Sequence, residues 1–136
     1  MKRILIVEDD TFIRDLYTRA FSRSNYEVEA AADGEEAITK VKSGKYDMIL
    51  LDIMLPKITG INVLRAIRDP GGATKDVPVF LITNLGQEDI IKEAFKIGAD
   101  GYLLKAQLTP KDVVNEIELY FTQQTTPDNP QTSPQE

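Results

Sequence analysis

The chain has 136 residues, 16 Lys and Arg against 22 Asp and Glu, a net charge of −6, and neither cysteine nor histidine. That length predicts one domain with one core, and the missing residue types exclude disulfides, thiol chemistry, imidazole-based triads and Cys or His metal sites. The acidic balance argues against a direct nucleic-acid surface; apolar runs of only about five residues cannot cross a membrane, and acids arriving at Glu8 interrupt any secretory core, so a cytoplasmic protein is expected.

In chain order, short apolar runs alternate with amphipathic stretches. Ile4 to Val7 reads as a strand buried on both faces, followed by a helical stripe of Ile13, Leu16, Tyr17, Ala20 and Phe21. Asp10 is placed to cap that helix. Tyr26 to Ala31 alternates more weakly and predicts a strand nearer an edge. Ala37, Ile38 and Val41 form the next stripe, opened by Asp33 with Glu36 in the manner of a capping box and closed by Gly44, expected in a left-handed conformation. Met48 to Leu51 is the third strand. Ile61, Leu64 and Ile67 make the third helix, ended by Pro70. Val79 to Ile82 is the fourth strand, and Ile91, Ala94, Phe95 and Gly98 give the fourth helix with its glycine terminator. Tyr102 to Leu104 is the fifth strand. Thr109 and Pro110 start a last helix bearing Val113, Val114, Ile117, Tyr120 and Phe121. Five strand–helix units imply right-handed crossovers and a three-layer α/β sandwich. From Thr122 onward the chain holds three prolines and no large apolar residue, which predicts a domain over 1–121 and a disordered tail or linker over 122–136.

Open parallel sheets bind ligands beyond the carboxyl ends of their strands. The residues there are Glu8 and Asp9 after the first strand, Asp52 after the third, Thr83 after the fourth and Lys105 after the fifth. Two carboxylates about 4 Å apart repel by roughly 4 kcal/mol at an effective dielectric near 20. Three of them converging therefore need a cation, or one must stay protonated, and an all-oxygen set suits Mg²⁺. Thr83 and Lys105 add a hydroxyl and an ammonium, the groups that a phosphoryl oxygen needs, and Asp52 can then act as a nucleophile forming an aspartyl phosphate.

The segments ILIVEDD, LLDIMLP, FLITN and GADGYLLKA, in this order, resemble the receiver domain of two-component response regulators, of which CheY is a familiar example. The resemblance covers residues 1 to about 121. It implies a flavodoxin-like (βα)5 sheet of strand order 2-1-3-4-5. It implies phosphorylation of Asp52 by a histidine kinase or phosphotransfer protein. By the same resemblance Glu8, Asp9, Asp52 and the backbone carbonyl of Met54 hold Mg²⁺ or Mn²⁺, Lys105 contacts the phosphoryl group, and Thr83 and Tyr102 form a switch pair. Such a domain catalyses only its own phosphorylation and dephosphorylation and is not otherwise an enzyme. Its output is protein–protein contact through the fourth helix, fifth strand and fifth helix.

The chain departs from the family pattern at Lys57, where glycine is frequent, at Asn84, where a small residue is typical, and at Ala106, where proline usually follows the lysine in a cis bond. A cis bond before a non-proline residue costs about 2.5–4 kcal/mol. Met54 and Leu85 flank the site with apolar groups that cannot orient water. Two other functions compete. A metal-dependent phosphatase with an aspartyl nucleophile would need a second acid where Met54 stands. An FMN binder would need a phosphate-cradling loop where Glu8, Asp9 and Asp10 stand. A receiver cut from a larger multidomain regulator is a further alternative. Asp112, Glu116 and Glu118 against Lys111 on the last helix argue against charge-paired dimers of the kind formed by DNA-binding relatives.

Overall fold

A computed structural model describes residues 1–84 and 88–124. The strands are β1 (Arg3–Val7), β2 (Glu27–Ala31), β3 (Met48–Asp52), β4 (Val79–Thr83) and β5 (Gly101–Leu104). The helices are α1 (Thr11–Arg23), α2 (Gly34–Ser43), α3 (Gly60–Ile67), α4 (Glu88–Ile97) and α5 (Pro110–Gln124), with a short 3₁₀ turn at Lys105–Gln107. All strand pairs are parallel, in the order β2-β1-β3-β4-β5. The weakly alternating β2 is an edge strand, as its pattern predicts.

Strand periodicity sorts the core into two halves. Leu5, Val7, Ile49, Leu51, Val79 and Leu81 pack with α2, α3 and α4. Ile4, Ile6, Met48, Leu50, Phe80, Ile82 and Leu103 pack with α1 and α5. Both faces of the central strands are thus covered, which is why these strands read as unbroken apolar runs. Val63 is also fully buried on α3, inside the stripe predicted from Ile61, Leu64 and Ile67.

The helix ends follow the capping chemistry. Asp10 accepts from the Ile13 N–H at 3.0 Å. Asp33 accepts from the Glu36 N–H at 2.8 Å, and Glu36 reaches back to the Ala32 N–H at 2.9 Å, one residue before the cap. Thr109 and Asp112 exchange side-chain to backbone bonds at 3.1 and 3.0 Å. Gly44 differs from expectation: its φ is −121°, an extended conformation. The reason for glycine there is space, since a Cβ would stand 3.1 Å from the Tyr46 ring. Gly98 does take positive φ, at 129°.

The composition change at Thr122 does not end α5. The helix runs to Gln124, with the Thr122 hydroxyl donating to the Glu118 carbonyl at 2.9 Å. Residues 125–136, the remainder of the predicted tail, lie outside the described residues. No helix among the described residues is long and apolar enough to cross a membrane.

Candidate functional site

Parity along the strands brings the site together. Glu8 continues the side of β1 that carries Ile4 and Ile6, Asp52 the side of β3 that carries Met48 and Leu50, and Lys105 the side beyond Leu103. All three therefore reach the α1/α5 side of the sheet at its carboxyl edge. Glu8 stays in register because its N–H donates to the Ala31 carbonyl at 3.0 Å, extending the β1–β2 ladder. Thr83 has the opposite parity, with Val79 and Leu81, yet it lines the same cavity at the strand edge.

That cavity, about 360 Å³, is lined by Glu8, Asp9, Asp52, Met54, Thr83, Asn84 and Lys105, together with Asp10 and Ile13. One carboxylate oxygen each from Glu8, Asp9 and Asp52 lies within 4.8 Å of the others. Glu8 is 1% exposed and Asp52 3%, whereas Asp9 is exposed. The Lys105 ammonium bridges the two buried acids, donating to Glu8 Oε1 at 2.5 Å and to Asp52 Oδ2 at 2.9 Å. Asp52 Oδ1 accepts from the Met54 N–H at 3.0 Å, and Glu8 Oε2 from the Asp10 N–H at 3.1 Å.

Burial holds the Glu8 carboxyl above its usual range, against the lowering effect of its Lys105 and Asp10 hydrogen bonds, with the Asp52 charge adding to the rise. Burial alone would lower Lys105, but its bonds to Glu8 and Asp52 outweigh that and raise it, so the ammonium stays charged. Tyr17 on α1, feeling the same charges, is pushed up to about 12, chiefly by burial.

The β3–α3 loop frames the site from below. Ile53 and Leu55 turn inward, and the Gly60 N–H closes the loop on the Ile53 carbonyl at 2.9 Å. A Cβ on Gly60 would lie 2.4 Å from the Asp52 carbonyl oxygen and 2.6 Å from Ile53 Cα. Only glycine allows α3 to begin so close to the Asp52 backbone. Gly60→Ala is expected to cost about 1–3 kcal/mol of stability, read as a lower urea midpoint; an unchanged midpoint would show that the loop has slack. Lys57 adopts the left-handed conformation, φ 68°, that glycine would take freely. Its ammonium meets Asp33 at 3.4 Å and Glu35 at 3.6 Å, tying the loop to the start of α2.

Tyr102 stands away from this cluster. It is 43% exposed, with its ring edge-on to Phe95 of α4, centroids 6.2 Å apart. Its Cα pairs with Leu81, two residues before Thr83, while Thr83 pairs with Leu104. Met54 is 61% exposed at the cavity rim. No cis peptide occurs among the described residues, so the Lys105–Ala106 bond is trans. Leu85 lies outside the described residues. Sequence reasoning passed over Arg14, whose guanidinium donates to the Glu8 carbonyl at 2.8 Å and to the Asp9 carbonyl at 3.4 Å. Its place on the first turns of α1, just after the acidic pair, was the available signal.

The response regulator receiver domain family matches residues 4–118. The transcriptional regulatory protein ResD of Bacillus subtilis is 38% identical over 112 residues, which are 82% of this chain and 45% of that protein. This chain spans about half the length of the curated relatives it matches. Chemotaxis protein CheY4 of Vibrio cholerae superposes with a TM-score of 0.81 at 29% identity, covering 88% of this chain and 98% of that one. The receiver domain of sensor histidine kinase PA1611 from Pseudomonas aeruginosa, solved with a magnesium ion in its active-site cleft, gives a TM-score of 0.78 at 24% identity over 89% of this chain and 98% of that one, which shows the fold alone. A flavodoxin-like sheet with an acidic pair, a buried aspartate and a lysine at its carboxyl edge, together with a family match over nearly the whole chain, leads to one assignment: the chain belongs to the receiver domain family of two-component response regulators.

Proposed function

We propose that Asp52 accepts a phosphoryl group from a histidine kinase or phosphotransfer protein, beside an Mg²⁺ or Mn²⁺ ion held by Glu8, Asp9, Asp52 and the Met54 carbonyl. The observation that carries this reading is the charge count at the cavity. Three carboxylates within 4.8 Å face one ammonium, leaving two negative charges in excess. An all-oxygen set with that excess fits a hard divalent cation. The magnesium described in the PA1611 receiver supports the same choice.

In the transfer, an Asp52 oxygen forms a bond to phosphorus as the bond from phosphorus to the donor's imidazole nitrogen breaks. The electron pair leaves with the imidazole, which takes a proton from solvent. The cation, when bound, neutralises phosphoryl oxygens. Lys105 already touches Asp52 Oδ2, so it needs little movement to meet a phosphoryl oxygen, and the Thr83 hydroxyl donates to another. Tyr102 and Phe95 give the α4–β5–α5 face an exposed aromatic pair. We assign that face to the downstream protein partner, with Tyr102 reporting the state of Thr83 along the shared side of the sheet. The half-length match to ResD favours a second reading of context, in which this receiver is one part of a larger regulator.

The test is incubation with acetyl phosphate and Mg²⁺ followed by intact mass. A gain of one phosphoryl group, about 80 Da, is expected, and chelation of the metal should suppress it. Asp52→Asn should abolish the gain; labelling of that variant at the unsubstituted rate would contradict the proposal.

A further inference from the structure

Glu8 and Asp52 are oriented through their own carboxylates, by Lys105, the Asp10 N–H and the Met54 N–H. Asp9 lies between Glu8 and the Asp10 cap, with its carboxylate exposed. Its carbonyl, and that of Glu8, receive the same Arg14 nitrogen, Nη1, at 3.4 and 2.8 Å.

We propose that Arg14 is a positioning residue for the divalent-cation site, clamping the Glu8 and Asp9 peptide planes so that the acidic pair faces Asp52. The inference rests on the cation reading of this cavity given above. Without a brace, two adjacent acids beside a third relax apart, because their mutual repulsion is unopposed. Lys105 opposes that repulsion by occupying carboxylate oxygens. Arg14 opposes it through the carbonyls and so leaves carboxylate oxygens available to a metal. The brace is anchored on a formed helix: the Arg14 N–H donates to the Asp10 carbonyl at 2.9 Å, and the Arg14 carbonyl accepts from the Thr18 hydroxyl at 2.8 Å. One guanidinium nitrogen serves both carbonyls, and the planar group holds it there more rigidly than the flexible four-carbon stem of a lysine would hold an ammonium.

Charge and geometry predict opposite signs. If Arg14 acted only as a positive charge near the acids, removing it would tighten Mg²⁺ binding. If it positions the acids, removing it weakens binding. Groups that orient metal ligands typically contribute about 10–100-fold in affinity.

The experiment is calorimetric titration of the full chain with Mg²⁺ alone. Arg14→Ala is expected to raise the dissociation constant about tenfold, equal to about 1.4 kcal/mol, and Arg14→Lys to recover only part of that loss. Melts in chelator keep the readout separate from folding. Arg14→Ala should change the metal-free melting temperature little while shrinking the Mg²⁺-induced rise. An unchanged or lower dissociation constant in Arg14→Ala overturns the positioning role, as does full recovery in Arg14→Lys. Asp9→Asn is the control on the cation site itself. If the unsubstituted chain binds Mg²⁺ and Asp9→Asn binds equally well, the cation reading fails, whatever Arg14 does.

Discussion

Replacing Lys105 with methionine is expected to destabilise the metal-free protein by about 3–5 kcal/mol, the cost of removing one partner from a buried ion pair. Lys105 is 8% exposed along its side chain and is the cation bonded to both Glu8 and Asp52. Removing it leaves two carboxylates buried at the edge of the sheet with their charges uncompensated. The loss depends on pH. Burial already raises the Glu8 carboxyl above its unfolded value, and loss of the ammonium removes an interaction that opposes that rise. A carboxyl raised in the folded state contributes stability below its unfolded pKa and loses it as pH rises through the folded one. The penalty in Lys105→Met should therefore be largest near pH 8 and smaller near pH 5. In the parent, Lys105 has a raised pKa and stays charged across this window. Urea unfolding at the two pH values in chelator checks the prediction; equal stability of variant and parent at pH 8 would mean that the ammonium carries no compensating role.

The second large effect is metal dependence. At about 100 times its dissociation constant, Mg²⁺ should add roughly 2.7 kcal/mol of stability, a rise on the order of 10 °C in melting temperature for a domain of this size. The origin is the excess of negative charge among Glu8, Asp9 and Asp52. Asp52→Ala should leave the metal-free protein near its original stability or above it, because the Glu8–Lys105 pair that remains is balanced. Asp9→Asn should remove most of the Mg²⁺-induced rise. Identical melting of the parent in Mg²⁺ and in chelator would contradict the charge argument.

The strands were legible because a parallel sheet covered on both sides forces unbroken apolar runs such as Met48 to Leu51 and Val79 to Ile82. The capped helix starts at Asp10, Asp33 and Thr109 were legible because their bonds are local. The loci of Glu8, Asp9, Asp52, Thr83 and Lys105 followed from the rule that ligands gather beyond strand ends, and the cavity lining joins them. Strand order was not legible from periodicity, because the β1–β3 pairing is decided by long crossovers; the family resemblance supplied it. The bridge from Lys105 to Glu8 spans 97 positions in sequence, and no local pattern encodes it. Arg14 is hard to read from sequence because its partners are backbone carbonyls, and only its place just after the acidic pair points to it. Gly44 misled because glycine after a helix suggests a left-handed turn, whereas here it makes room for Tyr46. The end of α5 was placed too early because polar residues extend a helix already docked through Val113, Val114 and Ile117.

The measurement that bears most directly on the central claim is the position of the phosphoryl bond. Acyl phosphates are reduced by borohydride, which converts a phosphorylated aspartate to homoserine, and peptide sequencing by mass spectrometry then locates that residue. After treatment with acetyl phosphate and Mg²⁺, homoserine is expected at position 52 and at no other acid. Homoserine at Asp9 or Asp10, with position 52 unmodified, would contradict the assignment of Asp52 as the phosphoacceptor.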